Sequence, residues 1–559
     1  MLFEIVSSFY QENKLAILFY FIIVLILMPM EAIIIPELYG KMFDGIKELK
    51  SFPSLFDVYN NVKSQNFAGI LTILSFVWIL SLIFGALKYV SESELSPKFQ
   101  AFVRTNIYQR TINAFSNEFE HIKTGEYLSR IMELARNFRD IAQYGLVKVV
   151  PDIVISLLIV FYMYTKNAKI ANILLFVTII CGVIQYFGMN KLIHLVSEKE
   201  NFFNTHLSEN IQDSLDNLMN IYINNEVDSQ INKNNDHEKI HADMITNIMK
   251  WETLVAYGTE IIILAGYIGG IATLYYLLKE RKLSNKDAIV VILILGQYQN
   301  YFSWVNSAFV HNITYKLGII NGSKKFLEQI FAEDDKKYKK NFIENGEIVL
   351  KDVFFKHDKE SEEYLFENLN LTIKGGDKVA IVGQSGAGKS TLLKLMLNLN
   401  AIEKGTISID GVPISEARNE YLRTQVNYIN QSTNLFNETV MYNMNYGNNV
   451  DEQVIIDKLK KYKLDEVFSE LSDGVQSSCG VHGANLSGGM QKVTMLIRGI
   501  LKPSKIVLID EPLSALDPET RVKVIKMIVE ECKDKTLVVV THDEEILPYM
   551  NEVVDIKDM

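Results

Sequence analysis

Residues 378–391 read KVAIVGQSGAGKST. The first five, apolar and β-branched after Lys378, predict a buried strand. The strand runs into Gly383-Gln384-Ser385-Gly386-Ala387-Gly388-Lys389-Ser390, the spacing G-x-x-x-x-G-K-S, and Ser390-Thr391 opens an apolar helical stretch, STLLKLMLNL. Each part of this spacing has a mechanical use. Glycines let backbone N–H groups wrap a phosphate, and the helix N-terminus adds a dipole that favours an anion. Lys389 is placed to neutralise the β- and γ-phosphates of a nucleotide, and the Ser390 hydroxyl to ligate Mg2+. Strand, glycine loop and helix in this order predict an α/β nucleotide-binding fold.

The surrounding sequence agrees. EIVLKDVFF and LTIKGGDKVAIVG, on the N-terminal side, are rich in strand formers. Further on, Lys505–Glu511 reads KIVLIDE, a buried strand ending in two acids. Asp510 is placed to hold Mg2+ and Glu511 to take a proton from an attacking water. A second buried strand, VVVTH, ends at His542. The charge-dense EDDKKYKKN at 333–341 marks a boundary, so residues 331–345 are expected as a linker and 346–559 as the nucleotide-binding domain.

Residues 1–330 are of another kind. Long apolar runs at about 15–38, 67–90, 146–165, 168–190, 253–278 and 286–310 each approach the ~20 residues that cross a bilayer. The fold class expected is therefore an α-helical membrane domain of six transmembrane helices with long cytoplasmic extensions, followed by an α/β P-loop NTPase domain. An even number of spans leaves both termini on one side, and nucleotide chemistry makes that side cytoplasmic. Lys279, Arg281, Lys282 and Lys286 then fall in an outer loop, against the usual excess of basic residues inside. In the sixth span, Gln299, Ser303 and Ser307, with Asn300, Trp304 and His311, recur at spacings of three and four. Such a stripe either bonds helix to helix or lines a substrate path. Glu260 in span five is the acid expected on that path, while Glu31 and Asp152 also fit the membrane interfaces.

The totals narrow the partners. A net charge of −11 with no long basic run argues against nucleic acid. Three cysteines without CxxC spacing read as free thiols in a reducing compartment. The first residues lack the basic start of a secretory signal, and no arginine precedes Arg104, which speaks against a transit peptide.

Taken together these motifs resemble the ATP-binding cassette family over the whole chain. GQSGAGKST looks like its phosphate loop, and Gln431 in YINQSTNLF like its Q-loop glutamine, a further Mg2+ ligand. Leu486-Ser487-Gly488-Gly489-Met490 resembles its signature, and LIDEPLSALD its acidic strand followed by a D-loop ending at Asp517. His542 resembles its switch histidine. Six spans before one cassette look like a half-size exporter, with coupling helices expected near 116–125 and 219–227.

The resemblance implies ATP and Mg2+ as cofactors and a second half-transporter as partner. ATP would be held between the phosphate loop of one chain and the signature of the other. Met490 stands where the family usually has glutamine, His357 (with Tyr364 as substitute) where it has an adenine-stacking tyrosine, and Val481 where it has an acid. LFNETVMYNMNYGN resembles the subfamily that exports glutathione-linked and heavy-metal conjugates. The expected function is export of a small-molecule or lipid solute across a plasma or inner membrane by a homodimer driven by ATP hydrolysis. A heterodimer subunit with one weakened site and an ATP-gated channel or regulator are the alternatives.

Overall fold

The computed structural model describes residues 2–46, 67–114, 124–331, 342–357, 363–431 and 434–558. Most of the expected linker and of the first coupling segment lie outside the described residues. The second coupling segment, 219–227, takes in most of the short helix Leu218–Ile223 and the turn before Val227. The described residues divide into two compact units, one holding the long helices and the other the strands.

Six helices of the first unit are long and apolar enough to cross a membrane. They are α1 (Glu4–Asp44), α2 (Phe67–Ala114), α3 (Tyr127–Lys166), α4 (Ala168–Asp216), α5 (Val227–Lys279) and α6 (Asn285–Gly322). Each exceeds its apolar run because the charged flanks continue the same helix. The 53 residues of Val227–Lys279, for example, join a polar half to an apolar half without a break. Four of the helices carry π turns, at Met30–Ile34, Ala142–Val149, Phe203–Ser208 and Ala308–Ile313. Such turns re-aim side chains and gather at functional sites. The first follows Pro29, whose missing N–H already interrupts the ladder of α1.

Glycines set the closest helix contacts. A Cβ on Gly266 would lie 2.5 Å from Val177, and one on Gly188 2.7 Å from Val255, so α4 and α5 approach to a distance that a larger residue would forbid. A buried polar network also joins three helices. Asn306 of α6 accepts from Thr259 of α5 at 2.5 Å and from Gln185 of α4 at 2.9 Å, and donates to Ala256 O at 3.0 Å. Every polar group of the Asn306 amide thus finds a partner away from water.

The second unit has two sheets. The strands are β1 (Ile348–Phe355), β2 (Phe366–Ile373), β3 (Lys378–Val382), β4 (Lys404–Ile409), β5 (Val412–Pro413), β6 (Val426–Ile429), β7 (Ile506–Asp510), β8 (Thr536–Val540) and β9 (Glu552–Asp555). An antiparallel sheet runs β2-β1-β4-β5, and a parallel sheet β6-β7-β8-β3-β9. β7 and β8 are buried at every residue, as strands covered on both faces must be, which explains their unbroken apolar sequences. Three helices bear on the site: α7 (Lys389–Met396), α8 (Gly488–Leu501) and α9 (Pro518–Glu531). They do not share one core. Leu392, Leu393, Leu395 and Met396 of α7 pack with β1, β2 and β4, whereas Val493, Leu496 and Ile497 of α8 pack in a second cluster with Met441, Ile455 and Phe468.

Candidate active site

In a parallel sheet every strand delivers its C-terminal end to the same edge, and side chains that follow those ends meet there. The strand register puts Ile381, Val540 and Asp510 level across β3, β8 and β7, and Ile429 of β6 opposite Ile509. The loop after β3 holds residues 383–388, Gln431 follows β6, Asp510 and Glu511 end β7, and His542 follows β8. Four segments far apart in sequence therefore converge on one edge.

The glycine loop takes its shape from backbone angles that side chains resist. Gly383, Gly386 and Gly388 have φ of 149°, 82° and 89°. A Cβ at Gly388 would also lie 2.7 Å from the Phe366 ring, so position and conformation both demand glycine. Lys389 Nζ folds back over the loop and donates to Gly383 O at 3.0 Å and Gln384 O at 2.9 Å. Gln384, Ser385 and Gly386 are exposed, Ala387 and Ser390 half-buried, and Thr391 buried. His357 is exposed at the end of β1 with Nε2 3.4 Å from Thr391 Oγ1, so it does lie beside the loop helix. Tyr364 lies instead against Phe354, ring centroids 5.7 Å apart.

Glu511 is the strained residue of the site. It is buried, its φ is +49°, and its N–H is fixed to Val540 O at 2.8 Å. A non-glycine residue held in this region at a strand end is the kind of outlier that gathers where chemistry is done. Its Oε2 lies 2.8 Å from His542 Nδ1, an ion pair that falls short of an aligned hydrogen bond, and otherwise has no donor among the described residues. The close contact with Glu511 and the charge of its carboxylate raise the His542 imidazole above its ordinary value of 6.5. A raised folded-state value means that the pair is fully formed below pH 6.5 and fades as pH climbs through the raised value. In an NMR titration of the nucleotide-free protein, His542 is expected to titrate above 6.5, and in Glu511→Gln to fall back towards it.

Asp543 comes within sharing distance of Glu511 and His542, but Arg521 already pairs with it at 3.0 Å. A metal fits elsewhere. Asp510 Oδ1 is buried with no hydrogen-bond donor among the described residues, an orphaned carboxylate oxygen of the type that a hard cation satisfies. Asp510 and the half-buried Ser390 both offer oxygen ligands of the kind that Mg2+ takes.

The same architecture recurs in known proteins. Residues 14–302 match the family model described as ABC transporter transmembrane region, and residues 366–514 the one described as ABC transporter. The first covers more than half of the chain. The chain belongs to the ABC transporter family. An ATP-dependent lipid A-core flippase from Methylobacillus flagellatus is 37% identical over 176 residues, 31% of this chain and 30% of that protein. Heavy metal tolerance factor 1 from Caenorhabditis elegans is 35% identical over 175 residues, 31% of this chain and 22% of that protein. The matched stretch thus spans less than a third of either relative. A solved structure of a bacterial Atm1-family ABC exporter with ATP bound superposes with a TM-score of 0.84 at 19% identity, covering 97% of this chain and 93% of that one, a likeness of fold. This ABC transporter is accordingly a multi-pass integral membrane protein with a cytoplasmic nucleotide-binding domain.

The segment expected as the signature, residues 486–490, opens helix α8. Ser487 is the N-cap, its Oγ accepting from Met490 N at 3.3 Å, and Ser487 and Gly488 are exposed. Leu486 and Met490 turn inward and join the α8 core. The residue that departs from the family pattern therefore spends its side chain on packing and leaves the exposed end of the helix to Ser487, Gly488 and Gly489. Val481 is exposed. Asp517 caps α9, accepting from Glu519 N and Thr520 N, both at 3.0 Å. Replacing Asp517 by Ala is expected to cost about 1 kcal/mol of cassette stability through the lost cap, visible as a lower Tm.

Lys492 carried no signal in the sequence, since a lysine on a helix is usually solvated. Here it is buried, and its Nζ reaches Asp510 O at 3.2 Å and Asn430 O at 3.5 Å, tying α8 to the acidic strand and to the segment before Gln431. Burial pushes its ammonium down to about 8. The stripe in the sixth span is divided by the structure. Ser303 donates to Glu260 at 2.6 Å, a bond between α6 and α5, while Asn300 and Trp304 face a cavity with Gln297 and Tyr301. Gln299 is half-buried and Ser307 exposed, and neither lines that cavity.

Proposed function

We propose that this ABC transporter is an exporter in which two copies of the chain use ATP hydrolysis to move a solute out of the cytoplasm, across a plasma or inner membrane. The observation that carries this reading is that α7, which opens at the glycine loop, and α8, which opens at Ser487, pack in different hydrophobic clusters of one cassette. One chain then offers two half-sites. A nucleotide on Gly383–Thr391 is closed by Ser487 and Gly489 of the second copy, and the reverse holds for the other nucleotide.

In the reaction, Lys389 exchanges its two loop carbonyls for phosphate oxygens. Ser390 and Asp510, with Gln431 as a further ligand, would hold Mg2+, which would supply charge neutralisation at the phosphates. Glu511 accepts a proton from the water that attacks the γ-phosphorus, the bond to the bridging oxygen breaks, and ADP leaves with phosphate. His542 holds the Glu511 carboxylate in place. His357, exposed beside the loop helix, would offer its ring to the adenine. The relatives' names speak of lipid A-core in one case and heavy metal tolerance in another, and leave the solute open.

The test is uptake into sealed inside-out vesicles of the full-length protein, with labelled peptide, lipid and conjugate solutes. ATP-dependent accumulation of a solute against its gradient, absent in Glu511→Gln, is the expected result. Equal movement with and without ATP would sink the export reading and leave a channel.

A further inference from the structure

The first unit contains a cavity of about 510 Å3 whose lining unites four of its helices. Its charged groups are Glu31 on α1, Lys88 on α2, and Lys148 and Asp152 on α3, and its aromatic lining includes Trp78 on α2 and Trp304 on α6 beside three tyrosines. Two carboxylates and two ammoniums inside one membrane-spanning bundle are costly and are retained chiefly where they face water or a polar guest. Glu31 and Lys148 both sit on π turns, which aim them off the regular helical face.

Their partners within the protein are few. Glu31 accepts from Ser81 at 2.6 Å, and Lys88 Nζ is 3.8 Å from Glu92. Lys148 Nζ lies 5.3 Å from the Tyr144 ring centroid. The Asp152 carboxylate forms no hydrogen bond or ion pair among the described residues; Ser156 uses only its backbone oxygen. Both indoles are substantially exposed, at 45% for Trp78 and 60% for Trp304.

We propose that this cavity binds a small zwitterion that carries an ammonium, a carboxylate or phosphate, and a flat apolar group. With both signs of charge on the lining, a simple cation or anion would meet only one of them. A zwitterion meets both, and the indoles supply faces for an apolar or cationic group. The volume lies in the range of pockets for molecules of a few hundred daltons, about the size of a short peptide. As the transported cargo, this ligand rests on the export reading; as a ligand it does not.

The experiment is therefore equilibrium binding without nucleotide, using the full-length protein in nanodiscs and tritiated Gly-Phe-Gly as probe. The free tripeptide is expected to bind at least ~10-fold more tightly than its N-acetylated or its C-amidated form. Glu31→Gln with Asp152→Asn should erase the advantage of the free amine, and Lys88→Met with Lys148→Met that of the free carboxylate. Competition by glycerophosphoethanolamine assigns the zwitterion to a lipid headgroup, and its failure to compete assigns it to a peptide. Equal affinity for all three peptides, or double variants that keep the parent's preference, overturns the proposal. Should a double variant fail to fold, the parent still decides. Two of its three tryptophans line the cavity, so the free tripeptide should change their emission at ~10-fold lower concentration than either blocked form. Binding without vesicle transport would defeat the export reading alone, and transport of uncharged solutes without this binding would defeat the site alone.

Discussion

Glu511→Gln is expected to bind ATP as the parent does and to turn it over about 10²–10⁴-fold more slowly, the range that a positioned general base contributes. The side chain keeps its volume and its place at the end of β7, so the backbone anchor to Val540 O survives. What is lost is the proton acceptor, together with the charge that His542 Nδ1 meets at 2.8 Å. The measurement is single-turnover ATP hydrolysis beside equilibrium nucleotide binding. Turnover at the parent rate would remove Glu511 from the role of base. Loss of binding in the same variant would instead make Glu511 part of the nucleotide cradle.

Two inactive variants are expected to rescue each other when mixed. Lys389→Ala removes the ammonium from the glycine loop, and Gly489→Asp puts a negative charge at the N-terminal end of α8, where the proposed composite site would bring a phosphate. Each variant alone damages both composite sites of a homodimer. Co-expressed in equal amounts, half of the dimers are mixed, and each mixed dimer keeps one intact site of two, so ATPase should return to roughly a quarter of the parent level if the sites work independently. Full activity of either single variant, or no recovery in a mixed dimer isolated by two affinity tags, would overturn the shared site. The result also separates a homodimer from an obligate foreign partner, since the rescued species contains only this chain.

Local chemistry explains why the cassette was so legible. The loop at 383–390 is bound to its sequence by the positive φ of Gly386 and Gly388 and by the want of space for a Cβ at Gly388. The strands before Asp510 and His542 are covered on both faces, so their unbroken apolar runs betray them. Each of the six expected spans falls within one of the six long helices, because the burial or lipid exposure of about 20 apolar residues is a property of the segment itself. The ends were less legible. A helix that leaves the bilayer and continues in water changes composition without changing conformation, and the 53 residues of Val227–Lys279 do so.

The amino-acid order by itself determined the local form of each segment: a glycine loop between strand and helix, a strand that ends in two acids, a helix that opens at Ser487, six apolar spans. These follow from glycine conformation, apolar periodicity and the spacing of charged groups, all readable within some twenty residues. Tertiary structure alone decided which distant groups meet. It joined Lys492 to Asp510 and Asn430, turned Met490 into the core, paired Ser303 with Glu260, and set Glu31, Lys88, Lys148 and Asp152 around one cavity with Trp78 and Trp304. Such meetings depend on strand order, on π turns and on how closely glycines let helices approach. Those are properties of the packed chain, and no local stretch of sequence carries them.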